Sequence, residues 1–218
     1  MILGADYSMR FQRCHTSIVR SIRQVSLVRD WLRARADAAL PSIASFEPDQ
    51  RAGDTLDLSL FKVARRDGPI DYICLHAGER VRALHDVVMW GRSLQSCLDA
   101  GMAAAVMPIW HACVTTRLPV YSIMAVSDAQ GCPVTIEQIV LPYRRGAATP
   151  DFVVASLHAW STEGRFGSQG LLCSKDRTPS HWAAVIDPTV AVVTAEMHDG
   201  VVGPEGRIRE DHAACAVI

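Results

Sequence analysis

The chain predicts an α+β fold. Three observations predict it: an amphipathic helical run ahead of residue 40, a hairpin ending in a glycine at 72–78, and three strand segments between residues 120 and 160. Short helical runs separate the hairpin from those strands. The 218 residues are 49% hydrophobic and 21% charged, which suits one soluble domain with extensions. A net charge of −1 gives no bulk electrostatic drive toward nucleic acid or a membrane surface.

Residues 1–16 read as a disordered lead without an apolar signal core, and Met9 is an alternative start. Residues 17–40 read as an amphipathic helix. Ser17 is placed to cap it, and Ile18, Ile22, Val25, Val28 and Leu32 recur at three- and four-residue steps, with Trp31 widening the stripe. Pro41 ends it, because the residue before a proline is pushed out of helical geometry. Such a stripe has to cover something, either the chain's own sheet or the same helix in a second copy. It is the candidate dimer or partner helix. Seven arginines stand against the single acid Asp30 between residues 10 and 35, a run that reads as a solvated helix face.

Residues 41–160 read as the folded domain. Residues 41–55 are a polar connector. Leu56, Leu58 and Leu60 then alternate with Asp57 and Ser59, and Phe61 and Val63 continue the strand. The turn at 65–69 holds Asp67-Gly68, and 72–77 returns with Ile73 and Leu75 on one face and Tyr72, Cys74 and His76 on the other. A short helix follows Gly78. Asp99 is placed to cap the run at 100–116. Pro108 inside that run removes a backbone donor and clashes with the preceding turn, at a cost of ~3 kcal/mol, which predicts a break near Met107. Strands follow at 120–126, 134–141 and 152–160. In the second, Val134, Ile136 and Val140 share one face while Ile139 and Leu141 share the other, so the sheet is expected to be covered on both sides. Residues 161–218 read as a mostly irregular tail with one apolar segment at 182–195.

The ordered motifs resemble a known family. Trp31, Leu40-Pro41-Ser42 and Phe46-Glu47-Pro48 come first, then the hairpin and glycine at 72–78, Gly91-Arg92-Ser93-Leu94, Leu118-Pro119, and the strand from Glu137 to Pro142. Together they resemble a PAS-like domain family of alphaproteobacteria (PAS_5 type) over about residues 28 to 160. The resemblance implies a five-stranded antiparallel sheet with helices over one face enclosing a pocket. It also implies signal sensing or protein–protein regulation, commonly through dimers. The tail lies outside the pattern, and no cofactor is implied.

Candidate chemistry rests on a few residues. Haem would need a pocket-facing histidine, for which His76, His85 and His111 are the candidates. Light-sensing flavin relatives place a cysteine where this chain has Leu94, and Cys97 lies three residues on. Cys74-x-His76 shares a face on a strand, whereas His111-x-Cys113 diverges on a helix; neither has zinc spacing, so no metal is expected. No GxSxG, HExxH or phosphate loop appears, so no catalytic residue is named. Seven cysteines (Cys14, Cys74, Cys97, Cys113, Cys132, Cys173, Cys215) without a CxxC read as reduced thiols in a cytoplasm. The final Cys215-Ala216-Val217-Ile218 mimics a prenylation box, but Glu210 and Asp211 upstream make it read as coincidence.

The expectation is a cytoplasmic, non-enzymatic, PAS-like regulator and homodimer that binds a small ligand or an unidentified signalling protein, away from membranes and nucleic acid. Its pocket is expected to be lined by Ile73, Leu75, Val81, Leu84, Trp90, Leu94, Ile109, Trp110 and Ile123. The rivals are a ligand-free interaction scaffold, a haem sensor, and a small enzyme using a pocket cysteine or histidine.

Overall fold

The structure, a computed structural model, describes residues 11–47, 54–65, 69–146, 148–173 and 179–191. Its strands are β1 (Gln12–Cys14), β2 (Leu58–Ala64), β3 (Asp71–Ala77), β4 (Val120–Ser127), β5 (Pro133–Tyr143), β6 (Phe152–Trp160) and β7 (Ser180–Ile186). Its α-helices are α1 (Ile22–Arg35), α2 (Glu79–His85) and α3 (Ala100–Thr116).

The described strands form one sheet in the order β1-β7-β4-β5-β6-β2-β3. From β4 to β3 every neighbour is antiparallel, which is the five-stranded unit that the resemblance implies. The sheet nevertheless has seven strands rather than five. β7 adds antiparallel beside β4, and β1 adds parallel beside β7. Part of the supposed lead and part of the supposed tail are therefore sheet. β1 has only three residues, too few for periodicity to show, and its partner lies at the other end of the chain. The remaining expectations for residues 1–10, Pro48, the turn at 66–68 and residues 192–218, including the C-terminal Cys215 box, fall outside the described residues.

The sheet is covered on both faces, as its two-sided apolar pattern predicts. The inner face, with Phe61, Tyr72, Cys74, Met124, Ile136 and Val140, shares a core with residues of α2 and α3. The outer face, with Leu58, Tyr121, Ile139, Leu141 and Val154, shares one with α1. Neighbouring residues of β5 go to opposite cores, so the strand reads as almost continuously apolar.

Helix α1 is shorter than expected and its buried face is rotated. A separate turn of 3-10 helix covers Thr16–Ile18, and α1 begins at Ile22 with Ser21, not Ser17, in the cap position. It stops at Arg35, where Ala36 takes a φ of 46° and its N–H donates to Leu32 O at 3.2 Å. Its buried residues are Gln24, Val28 and Trp31. Ile22, expected in the stripe, is 87% exposed, while Ile18, Val25 and Leu32 are partly buried against the outer core. Trp31 Nε1 donates to Pro142 O at 2.7 Å, and Gln24 Nε2 donates to Glu137 O and Ser156 O at 3.1 and 3.2 Å. The helix read as a dimer or partner surface is thus seated on its own sheet, through a glutamine that an apolar stripe cannot show. The basic run also has internal partners: Arg13 with Asp187 at 2.8 Å, Arg23 with Asp57 at 3.1 Å and Arg33 with Asp30 at 2.7 Å.

Helix α3 is capped as expected, with Asp99 Oδ1 accepting from Met102 N at 2.8 Å. It does not break at Pro108 but runs unbroken to Thr116. Proline removes the donor to the carbonyl four residues back. That residue, Ala104, is exposed, so water can take the freed acceptor.

Between β3 and α2, Gly78 is held by its N–H to Leu58 O at 2.8 Å. A Cβ there would overlap the backbone carbonyls of Thr55 and Leu56. Gly78→Ala is expected to destabilise the fold by about 3 kcal/mol, the upper end of ordinary overpacking costs. Urea unfolding checks this; an unchanged midpoint contradicts it.

Candidate functional site

Between α3 and the inner face lies a cavity of about 10 Å³, counted as the space open to the centre of a water molecule. That is room for about one water. Leu94, Leu157 and Leu172 are among its apolar walls, and Ser59, His85, Trp110 and Gln138 are the lining residues that carry polar side-chain atoms.

Local structure explains the convergence. On β5, Gln138 occupies the same alternation as Val134, Ile136 and Val140, so it faces inward. Ser122 stands directly opposite it on β4. On α3, Trp110 shares a face with Val106 and Cys113, one turn to either side. His85 is the last residue of α2.

Three buried atoms at this face have no hydrogen-bond partner: Trp110 Nε1, Ser122 Oγ and Gln138 Oε1. Each such orphan costs about 1–3 kcal/mol when nothing satisfies it. Ser59 Oγ donates to Ala155 O at 3.4 Å. His85 is 3% exposed, and its Nδ1 lies 3.3 Å from Cys97 O, a geometry that places the proton on Nδ1. Burial pushes its pKa down from 6.5 to about 4, so the ring is neutral at pH 7. The described lining therefore carries no charge at neutral pH.

The structure places the nine expected lining residues in different surroundings, and two of them line the cavity. Val81, Leu84, Leu94, Ile109 and Trp110 are buried in the inner core, and Leu94 and Trp110 reach the cavity. Ile73, Leu75, Trp90 and Ile123 belong elsewhere. β3 has the opposite parity to the one expected. Tyr72 and Cys74 are fully buried, Ile73 is half-buried, and Leu75 is 38% exposed. Tyrosine goes inside because its hydroxyl meets His111 Nδ1 at 2.9 Å and its ring packs edge-on to Trp110 at 5.1 Å. Trp90 is 76% exposed, in a loop whose next residues hydrogen-bond to the backbone of β3. Ile123 packs on the outer face.

Of the three histidines, His76 is exposed, His111 faces Tyr72, and His85 alone lines the cavity. A haem or flavin does not fit a space the size of one water. Leu94 lines the cavity, and Cys97 is absent from the lining. Burial raises the thiols of Cys74, to about 11, and of Cys97, Cys113 and Cys173. The described residues contain no group of three or more His, Cys, Asp or Glu able to hold a metal, and no helix among them is long and apolar enough to cross a membrane.

Sequence reasoning missed Ser59, Ser122 and Gln138. Gln138 shares the parity of Val134, Ile136 and Val140. Ser59 and Ser122 instead alternate with the leucines of β2 and with Ile123, so their inward placement shows only once the strand faces are known. Leu172 was missed because it lies in a stretch dominated by glycine, serine and charge.

No family model matches the chain, so the alphaproteobacterial family remains a resemblance. No curated protein matches it either. Nine chains of known structure do match. One is a point variant of RsLOV, at 16% identity over 54% of this chain and 73% of that one, with a TM-score of 0.35. Another is an RNA-binding light-oxygen-voltage receptor, at 16% identity and a TM-score of 0.35, over 55% of this chain and 35% of that one. Likeness at this level adds nothing to what the chain's own geometry says.

His85 makes stability depend on pH with a definite sign. The folded imidazole stays unprotonated down to about pH 4, whereas the unfolded one takes a proton below 6.5. Its contribution is therefore complete above pH 6.5 and lost as pH falls toward 4. The loss is on the order of 3 kcal/mol. Urea unfolding at about pH 7 and about pH 4.5, either side of most of that window, should show a steeper loss for wild type than for His85→Gln; equal losses contradict the assignment.

Proposed function

We propose that the chain is a PAS-like regulatory module without catalytic chemistry, which takes a small molecule into its helix-covered core and passes the change to a protein partner. One observation carries this reading: three buried polar atoms without partners, Trp110 Nε1, Ser122 Oγ and Gln138 Oε1, on the inner face beside a cavity. Natural cores leave few such groups unpaired, and for Trp110 and Gln138, which line the cavity, a guest in that space supplies the explanation. The five-stranded antiparallel unit with helices over the cavity supports the PAS-like part. The raised thiols speak against a reactive cysteine, which supports a non-enzymatic role. The cysteine usage supports a cytoplasmic setting. A homodimer remains part of the proposal, though α1 no longer argues for it.

A second reading has its own observation. A cavity of about 10 Å³ is nearly a filled core, as a ligand-free interaction scaffold would have. An absorbance spectrum and denaturing mass spectrometry of the purified chain separate the two. The ligand reading predicts a co-purifying small mass without a Soret or flavin band. A protein that releases no such mass, and whose melting temperature no compound in a metabolite panel shifts, contradicts it and leaves the scaffold.

A further inference from the structure

We propose that residues 166–173 are a removable lid over a site for a small uncharged molecule that both donates and accepts hydrogen bonds. The proposal rests on the ligand reading of the cavity and adds the ligand's class and its way in.

The strap lies beyond the last strand of the five-stranded unit. At one end Gly167 N donates to Asp128 Oδ2 at 2.9 Å, in the β4–β5 turn. At the other it lies across the C-terminal end of α2. Gly170 N donates to Ala83 O and Leu172 N to Leu84 O, both at 2.9 Å, and Cys173 Sγ donates to His85 O at 2.7 Å. These are carbonyls that a helix leaves open in its last turn. Gln169 Nε2 ties the strap to Asp86 Oδ1 at 2.8 Å. Gly170, at a φ of 70°, makes the turn that sets the strap on Asp86. Leu171 and Leu172 are each 2% exposed, and Leu172 forms a wall of the cavity.

The other walls are strands locked in ladders, residues of α2 and α3, and the loop of Leu94 and Leu98, which is stitched to β3 by backbone bonds such as Leu94 N to Tyr72 O at 2.8 Å. The strap is neither strand nor helix. When it lifts, the α2 carbonyls and its own N–H groups pass to water, which satisfies them. It is the wall that opens with the least broken structure. With every wall in place the space admits about one water, so a larger guest needs a wall to move, and Leu172 is the one on the strap.

The lining sets the guest's chemistry. Trp110 Nε1 needs an acceptor and Gln138 Oε1 needs a donor. A charged guest would be stripped of water with no counter-charge on the described lining. A primary amide has the required pair of groups.

Benzamide and benzoate, alike in shape and different in charge, are the probes. Binding to the full chain is read by calorimetry, and amide exchange at Gly170 and Leu172 by NMR. Benzamide is expected to bind Leu172→Ala about tenfold more tightly than wild type, because the variant removes the cost of opening. In wild type it should accelerate exchange at both amides, and benzoate should not bind. Gln169→Ala cuts the exposed tether and should shift affinity and exchange in the same direction, should Leu172→Ala not fold. Benzoate binding as tightly as benzamide overturns the uncharged class. Equal benzamide affinity in wild type and variants, with unchanged exchange, overturns the lid while leaving the ligand site. No binding to any form overturns the ligand site itself.

Discussion

Burial of both faces of one sheet is the constraint on which the rest of the structure depends. β5 runs through the middle of that sheet and sends successive residues into two different cores. One core needs α2 and α3; the other needs α1. Because the outer face is apolar, α1 cannot be left free for a partner without exposing Tyr121, Ile139 and Leu141 to water. Its seat is fixed by directed bonds as well as by area, since Gln24 and Trp31 reach backbone carbonyls of β5 and β6. The sheet's edges are managed too. The loop at 91–94 hydrogen-bonds along β3, and β1 covers part of β7.

Both cores leave buried polar atoms without partners, and a cavity adjoins the inner ones. On the outer side, Gln24 Nε2 meets two carbonyls, one on β5 and one on β6, while its Oε1 has no partner. On the inner side, Gln138 and Ser122 are paired across β4 and β5, Gln138 and Trp110 line the same cavity, and each of the three carries an orphan atom. An apolar core would be more stable at those positions, so polar residues there point to a guest that completes them. The neutral His85 and the strap at Leu172 bound the same space, which ties the part of the chain beyond residue 160 to the inner core.

Much of the fold was legible in the sequence because it rests on local rules. The hairpin, the Asp99 cap and the strands now called β4, β5 and β6 follow from alternation, turn residues and capping chemistry. What was not legible depends on contacts between distant residues. The parity of β3 turned on whether Tyr72 could satisfy its hydroxyl inside, and His111, on another element, answers that. The face of α1 turned on Gln24 finding carbonyls in β5 and β6. Pro108 was tolerated because the residue four before it faces water. The site was legible in small part for the same reason: the inner-core residues of α2 and α3 follow helical spacing, while Gln138 and Ser122 stand out only once the strand faces are known.

The central claim is that the inner polar atoms await a guest, and the indole N–H of Trp110 reports on it directly. The chain can be labelled with a nitrogen isotope at its five tryptophans and the Trp110 resonance assigned by its absence in Trp110→Phe. A small primary amide is then titrated into the protein. The account predicts that the Trp110 indole resonance shifts in a saturable way while those of Trp90 and Trp182, outside the cavity, stay in place. A Trp110 resonance that never moves would contradict it and leave a closed core with no place for a ligand.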